Sequence, residues 1–234
     1  MIKKEETLSI GWIDNGTTDG KFTEQLLFTT LMAPNSGIKI DQFIRVAGNQ
    51  IARQREDLIR IWRDQMPSDW LLWVDSDIGL SASTLKILCD NVDKDTVPVL
   101  SGVYFISRQP EQTLPDPEPC IFYENQDNKT MSTVEPLPEN ELIKIDSAGM
   151  GLVLMHKSIF SKLDKITNGD PYFAEHAGYG KDFVSEDISF FRKLKKAGIP
   201  VHAHTGALAP HYKRLSLDIN YYLMYMDNRH KISK

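Results

Sequence analysis

Apolar residues along the chain fall into short continuous runs that take turns with longer periodic stretches. The runs TLSIGWI (7–13), IKIDQFIRVAG (38–48), WLLWVDSD (70–77), VPVLSGVYFIS (97–107) and IPVHAHT (199–205) have strand length. CIFYEN (120–125) and the start of ELIKIDSAGMGLVLMHKSIFSKL (141–163) add further strands, the latter ending in a short helix. TEQLLFTTLMA (23–33), NQIARQREDLIRIWRDQ (49–65), ASTLKILCDNV (82–92) and SEDISFFRKLKKAG (185–198) predict helices, the last stopped by Gly198. In the 49–65 segment, advancing about 100° per residue from Ile51 gathers Leu58, Ile59, Ile61 and Trp62 on one side. Strands and helices alternate through the first half. That order predicts an α/β domain with a mixed, mostly parallel sheet and helices on both faces. WLLWV does not alternate, which marks a strand buried on both faces.

Composition narrows the function classes. An apolar fraction of 41% supports a core, and no run approaches the ~20 apolar residues of a bilayer span. MIKKEETLSIGW has no apolar stretch of the kind a signal peptide needs. Cys89 and Cys120 form no metal spacing and read as reduced thiols of a cytoplasmic protein. A net charge of −5 argues against a broad grip on nucleic acid, while leaving a local basic groove open. The chain is expected to form one domain over 1–234, with a nucleotide-binding half at 1–107. The acceptor half and a C-terminal extension would occupy 108–234. LDINYYLMYM (217–226) is amphipathic and reads as packing or a contact between copies.

The chemistry starts where the buried strand ends. In an extended segment residues two apart face the same way, so Asp75 and Asp77 can aim at one point beyond WLLWV. Parallel α/β sheets bind ligands at the carboxyl ends of their strands. Two hard oxygen donors there suit a divalent cation that takes further ligands from elsewhere. The plainer alternative is a pair of solvated acids, or a cap for the following helix.

Two families place D-x-D after a buried strand. Haloacid-dehalogenase phosphatases do so near the N-terminus with Thr or Val two residues on. Here Gly79 takes that place, and the motif falls a third of the way along. The whole chain instead resembles compact A-type (GT-A) glycosyltransferases of the family-2-like kind, including small bacteriophage versions. The matching pieces run from about residue 7 to 213: the first strand, VDSD, SGVYFISRQP, DSAGMGLVLMHKSIF, SEDISFFRKLKKAGIPVHAHT and HYK. The resemblance implies a Rossmann-like GT-A fold and transfer of a sugar from a nucleotide-diphosphate donor, a UDP-sugar first, to a saccharide or other hydroxyl acceptor. It implies Mn²⁺ or Mg²⁺ on Asp75, Asp77 and His211. Ile13, Asp14, Asn15 and Ser76 would meet the donor. Gly149, with Asp146, would meet its sugar. Asp187 would be the base, with Glu186 supporting it or holding acceptor. DNGTTDG (14–20) departs from the family's usual first loop, and it also matches poorly the G-x-G-T-R-like loop of a sugar nucleotidyltransferase. A non-catalytic carbohydrate- or nucleotide-sugar-binding protein is the remaining alternative.

Elementary chemistry bears on several of these residues. Arg55 falls at about 40° on the wheel, inside the apolar arc, with Arg53 and Arg60 opposite. An inward guanidinium needs an anion, either a diphosphate or a core acid. Glu186 and Asp187 stand in a first helical turn after Ser185, where the helix dipole alone favours acids. TNGDPYFAEHAGYGKDF (167–183) carries Tyr172, Phe173, Tyr179 and Phe183 and reads as a loop able to close over a donor. His202 and His204 share a strand face, yet no Cys set or H-E-x-x-H completes a zinc site.

Overall fold

The computed structural model describes residues 1–107, 117–125, 127, 130–176, 184–213, 219, 221–223, 225 and 226. Tyr179, Phe183, the prolines between 109 and 116, and part of the C-terminal amphipathic segment lie outside them. The chain opens with β1 (Leu8–Asp14), α1 (Gly20–Met32), β2 (Ile40–Ala47), α2 (Ile51–Gln65) and β3 (Trp70–Val74). Next come α3 (Ala82–Asp90), β4 (Val99–Val103), β5 (Phe105–Ser107), β6 (Pro117–Pro119), β7 (Ile121–Glu124) and β8 (Met131–Thr133). The rest is β9 (Leu142–Ile145), β10 (Ser147–Ala148), β11 (Leu152–His156), α4 (Phe160–Thr167), α5 (Glu186–Lys196) and β12 (Val201–Leu208).

The main sheet has seven strands in the order β2-β1-β3-β11-β4-β12-β9. β1 runs parallel to β2 and β3, and β4 runs parallel to β12; β11 and β9 are antiparallel to their neighbours. A right-handed crossover through a helix is what parallel neighbours need, and α1 and α2 supply the segments. β10, β7 and β8 form a second, three-stranded sheet, and β5 pairs with β6.

β3 shows why WLLWV lacks alternation. Leu71 and Trp73 join the core beneath α2, α4 and α5, while Trp70, Leu72 and Val74 join the core beneath α1 and α3. All five are buried. At about 1.5–3 kcal/mol per fully buried large apolar side chain, both layers fix the depth of the strand. Its polar continuation must then emerge at the sheet's rim.

Several elements differ from their sequence-based boundaries. VPVLSGVYFIS is two strands, because Tyr104 turns its ring inward and interrupts the run. α1 starts at Gly20, since Asp19 accepts the N–H of Lys21 (2.8 Å) and caps it. The buried face of α2 includes Leu58, Ile59 and Trp62, but Ile51 is exposed in its first turn. Ser185 stands at the N-cap of α5 without capping a backbone N–H; its hydroxyl donates to Asp187 instead. Gly198 follows α5 at φ 66°, the left-handed conformation that ends helices at low cost in glycine.

Candidate functional site

β3 leads directly into a tight turn. Asp75 N–H donates to Gly151 O at 2.9 Å and extends the ladder by one residue. Ile78 N–H then donates to Asp75 O at 2.9 Å, closing the turn over Ser76 and Asp77. The far side of that turn is zipped to the chain after β12: Gly79 N–H donates to Pro210 O and Tyr212 N–H to Asp77 O, both at 2.8 Å. A Cβ on Gly79 would lie 2.6 Å from Pro210 Cγ, so the close approach requires glycine. This pairing carries His211 from the C-terminal end of the sheet to the acids of β3.

A cleft of about 900 Å³ opens at the carboxyl ends of β1, β2 and β3. Ile13, Asp14, Asn15, Arg55, Asp75, Ser76 and Asp77 all line it, so most of the expected donor-binding residues share one concavity. Its wall is stitched by Asp19 N–H donating to Ser76 O at 3.1 Å. The carboxylate of Asp14 is held by the Arg45 fork, from Nε at 2.6 Å and Nη2 at 2.8 Å, and by Gly16 N–H at 2.7 Å. The Arg45 hydrogen bonds chiefly hold that carboxyl below its usual range, against the opposing effect of burial.

Asp75 and Asp77 are held differently. Trp73 Nε1–H donates to Asp75 Oδ1 at 2.9 Å, and Arg55 Nη2 lies 3.5 Å from Oδ2. Asp77 Oδ2 lies 2.7 Å from Lys213 Nζ and 3.2 Å from His211 Nε2. Burial disfavours the Asp77 carboxylate, but the hydrogen bonds and charges of His211 and Lys213 outweigh it and bring its carboxyl to about 2. His211 Nδ1–H donates to Phe105 O at 2.8 Å, which orients the ring with Nε2 toward Asp77.

That donor set fits a divalent cation in kind: two carboxylates, plus an imidazole whose remote nitrogen is already tied to a carbonyl. It is not drawn together. Among the described residues no group of three His, Cys, Asp or Glu is close enough to hold one ion. Asp75 faces Trp73 and Arg55, whereas Asp77 and His211 are in contact. The ammonium of Lys213 meanwhile stands where a cation would meet Asp77.

Glu186 and Asp187 stand behind the cleft wall. Glu186 is buried, with Oε1 at 3.3 Å from Arg55 Nε. Burial pushes its carboxyl above the ordinary glutamate range; Arg55 opposes the shift and Asp187 adds to it. Asp187 Oδ1 accepts from Ser185 Oγ and, at 2.8 Å, from Ile188 N–H. Arg55 is itself buried. Desolvation disfavours its charge, and Asp75, Glu186 and Asp187 together more than restore it.

Other expected contributors are placed elsewhere. Asp146 does not line the cleft; it accepts from Glu124 N–H at 3.0 Å and pairs with Lys195 at 2.8 Å, beside the three-stranded sheet. Gly149 is buried under Tyr104, where a Cβ would come 2.0 Å from Oη. Space for the tyrosine therefore accounts for this glycine. Tyr172 and Phe173 are core residues rather than a loop surface, and their N–H groups donate to the buried Glu56 at 2.7 and 3.2 Å. His204 accepts from Gly206 N–H at 3.2 Å, and neither it nor His202 gains a third metal ligand among the described residues.

The sequence reading missed four residues. Arg45 clamps Asp14. Gln54 Nε2 donates to Asp14 O at 2.8 Å and Val46 O at 3.1 Å, tying the ends of β1 and β2 together. Tyr104 meets His211 edge to face, with ring centroids 5.3 Å apart. Lys213 pairs with Asp77. Gln54 adjoins Arg55, Lys213 belongs to the HYK stretch and Tyr104 to SGVYFISRQP, and those positions are the available signal. Nothing local marks Arg45.

The sequence matches no family model and no curated protein. The fold has solved relatives. A197 from STIV superimposes with a TM-score of 0.55 at 18% identity, covering 88% of this chain and 86% of that one. GalNAc-T7, solved with UDP, GalNAc and Mn²⁺, superimposes with a TM-score of 0.51 at 11% identity, covering 90% of this chain and 44% of that one. The chain thus has a GT-A-like glycosyltransferase fold.

Proposed function

We propose that this protein is a metal-dependent glycosyltransferase that moves a sugar from a nucleotide-diphosphate donor, with UDP as carrier, to an acceptor hydroxyl. The observation that carries the reading is the cleft at the ends of β1, β2 and β3, where Asp75, Asp77 and Arg55 meet in a GT-A-like fold. A neighbour of that fold is solved with UDP and Mn²⁺. Asp75, Asp77 and His211 would hold Mn²⁺ or Mg²⁺, which when bound neutralises charge on a departing diphosphate. Ile13, Asp14 and Asn15 form the wall that receives the nucleoside, with Arg45 and Gln54 keeping it rigid. Arg55 presents its guanidinium to the diphosphate. Asp187 takes the proton of the acceptor hydroxyl, and Glu186 holds Arg55 in place. In this reading residues 1–107 supply most of the donor site, and residues 108–234 supply His211 and the acceptor side.

No helix among the described residues is long and apolar enough to cross a membrane. Cys89 and Cys120 are free and buried, with burial pushing their thiols up to about 12 and about 11. Such inert thiols suit the cytoplasmic setting we assign. The reading is tested by thermal shift with a panel of nucleotides and nucleotide sugars, with and without Mn²⁺. Stabilisation by UDP or a UDP-sugar that depends on Mn²⁺ is expected. In calorimetry Asp77→Ala should abolish the Mn²⁺-dependent part and leave the fold intact. Unchanged UDP affinity of that variant in Mn²⁺ would remove the metal from the reading.

A further inference from the structure

Both acids of the β3 turn already face a side-chain cation, and the two cations differ in kind. Arg55, the partner of Asp75, is 7% exposed and projects from the buried side of α2. Lys213, the partner of Asp77, is 65% exposed on the chain after β12. Its ammonium lies 2.7 Å from Oδ2, the same oxygen that His211 Nε2 approaches at 3.2 Å. A divalent ion drawn to the oxygen that His211 already approaches would therefore compete with Lys213 for it. The two cations repel, so each weakens the other's hold on that oxygen. Lysine is able to leave, being a compact hydrated charge on a flexible stem. It also lines the cleft, so an incoming diphosphate offers it another anion.

We propose that Lys213 is a built-in competitor for the divalent metal: it holds Asp77 in the nucleotide-free protein and moves to the diphosphate when donor enters, coupling the two binding events. The inference rests on the metal-dependent reading of the cleft. A ligand shifts an equilibrium only through its different affinity for two states. Here the two states are Lys213 on Asp77 and Lys213 released. Linkage then requires diphosphate and metal to strengthen each other equally.

The test is Mn²⁺ binding, followed by electron paramagnetic resonance of the free ion, in the absence and presence of UDP or inorganic pyrophosphate. Lys213→Met is compared with wild type, with Lys213→Arg and with Lys21→Met. Lys21 lies over the Tyr212 ring at 5.6 Å, so its removal changes the local field without touching Asp77. Coupling between sites is typically about 5–150-fold. Lys213→Met should bind Mn²⁺ at least ~5-fold more tightly without nucleotide, at the low end of that range. Its affinity with diphosphate present should stay near wild type, so the coupling shrinks by the same factor. Lys213→Arg, which keeps a cation, should stay close to wild type. Equal affinity and equal coupling in Lys213→Met, or an equal gain in Lys21→Met, would overturn the inference while leaving the metal site standing. Absence of Mn²⁺ binding in every arm would overturn both together.

Discussion

Arg55 on α2 reaches Glu186 at the start of α5, with Nε 3.3 Å from Oε1, and so joins the two helices behind the cleft. Its Nη2 lies 3.5 Å from Asp75 Oδ2, and its guanidinium carbon lies 5.5 Å from the Trp73 ring centre. Yet among the described residues neither Nε nor Nη1 has an aligned hydrogen-bond acceptor. The arginine is matched in charge and poor in hydrogen bonds, a state that an incoming anion would relieve.

Arg55→Met and Arg55→Lys separate the two consequences of that arrangement. Removing one partner from a buried pair costs on the order of 3–5 kcal/mol. Protonation of Glu186, already favoured by burial, brings the expected loss below that range. Urea unfolding should therefore show Arg55→Met destabilised, with UDP binding in Mn²⁺ weakened. Arg55→Lys keeps the charge and loses the fork, so donor affinity should fall more than stability does. Untouched donor binding in both variants, with stability raised in Arg55→Met, would make Arg55 a purely structural ion.

Asp77 gives a signature in acid. Its folded-state carboxyl lies at about 2, below the ~3.9 of an unfolded aspartate. The contacts that lower this carboxyl thus contribute their full stability above about pH 4 and lose it as pH falls toward 2. With the side chain 37% exposed, screening reduces the size of the effect. The difference in urea midpoint between wild type and Asp77→Asn should be greatest near neutrality and shrink between pH 4 and 2. A difference independent of pH would show that the carboxylate's charge adds nothing to the fold.

Gly149 is a test of packing against ligand approach. A Cβ there would come 2.0 Å from Tyr104 Oη and 2.5 Å from Cys120 Sγ. Overfilling a packed core costs about 1–3 kcal/mol. Gly149→Ala should lose that much stability, and Tyr104→Phe, which deletes Oη, should recover part of it in the double variant. Neighbours in contact are expected to be non-additive in such a cycle. Additive losses, or a raised donor KM with unchanged stability, would instead put the glycine at the sugar.

The sheet was legible because its cause is local. WLLWV, with two buried faces, and the periodic α2 each declare their surroundings residue by residue. The cleft was half legible. Asp75, Asp77 and Arg55 are fixed by strand end and helix phase, which sequence spacing encodes. Lys213 and Arg45 act through partners 136 and 31 positions away, and no local period carries such a pairing. Tyr172 and Phe173 misled for a related reason. Their loop composition resembles an exposed platform, but the buried carboxylate of Glu56 on α2 binds their backbone N–H groups and draws the rings into the core. Asp146 opens the glycine-containing motif DSAGMG, and its partner Lys195 sits on a helix that the motif does not contain.

The last prediction separates Asp187 from Glu186. One oxygen of Asp187 is tied down by Ser185 Oγ and Ile188 N–H, which orients the carboxylate; Oδ2 has no hydrogen bond among the described residues. Glu186 is committed to Arg55, and burial pushes its carboxyl above the ordinary glutamate range. Asp187→Asn is nearly isosteric and cannot accept a proton. General-base assistance is typically worth ~10²–10⁴ in rate, so transfer should fall by that order with Mn²⁺-dependent UDP binding unchanged. Glu186→Gln keeps the shape but frees Arg55, so donor binding should change with it and transfer should fall less. If the roles are reversed, Glu186→Gln carries the large rate loss. The wild-type rate should then rise with pH through a carboxyl above the ~4.3 of an ordinary glutamate. The anomeric configuration of the product, read by NMR, completes the test. Inversion accords with a single base at this helix start, and retention removes Asp187 from that role whatever the rate of the Asn variant.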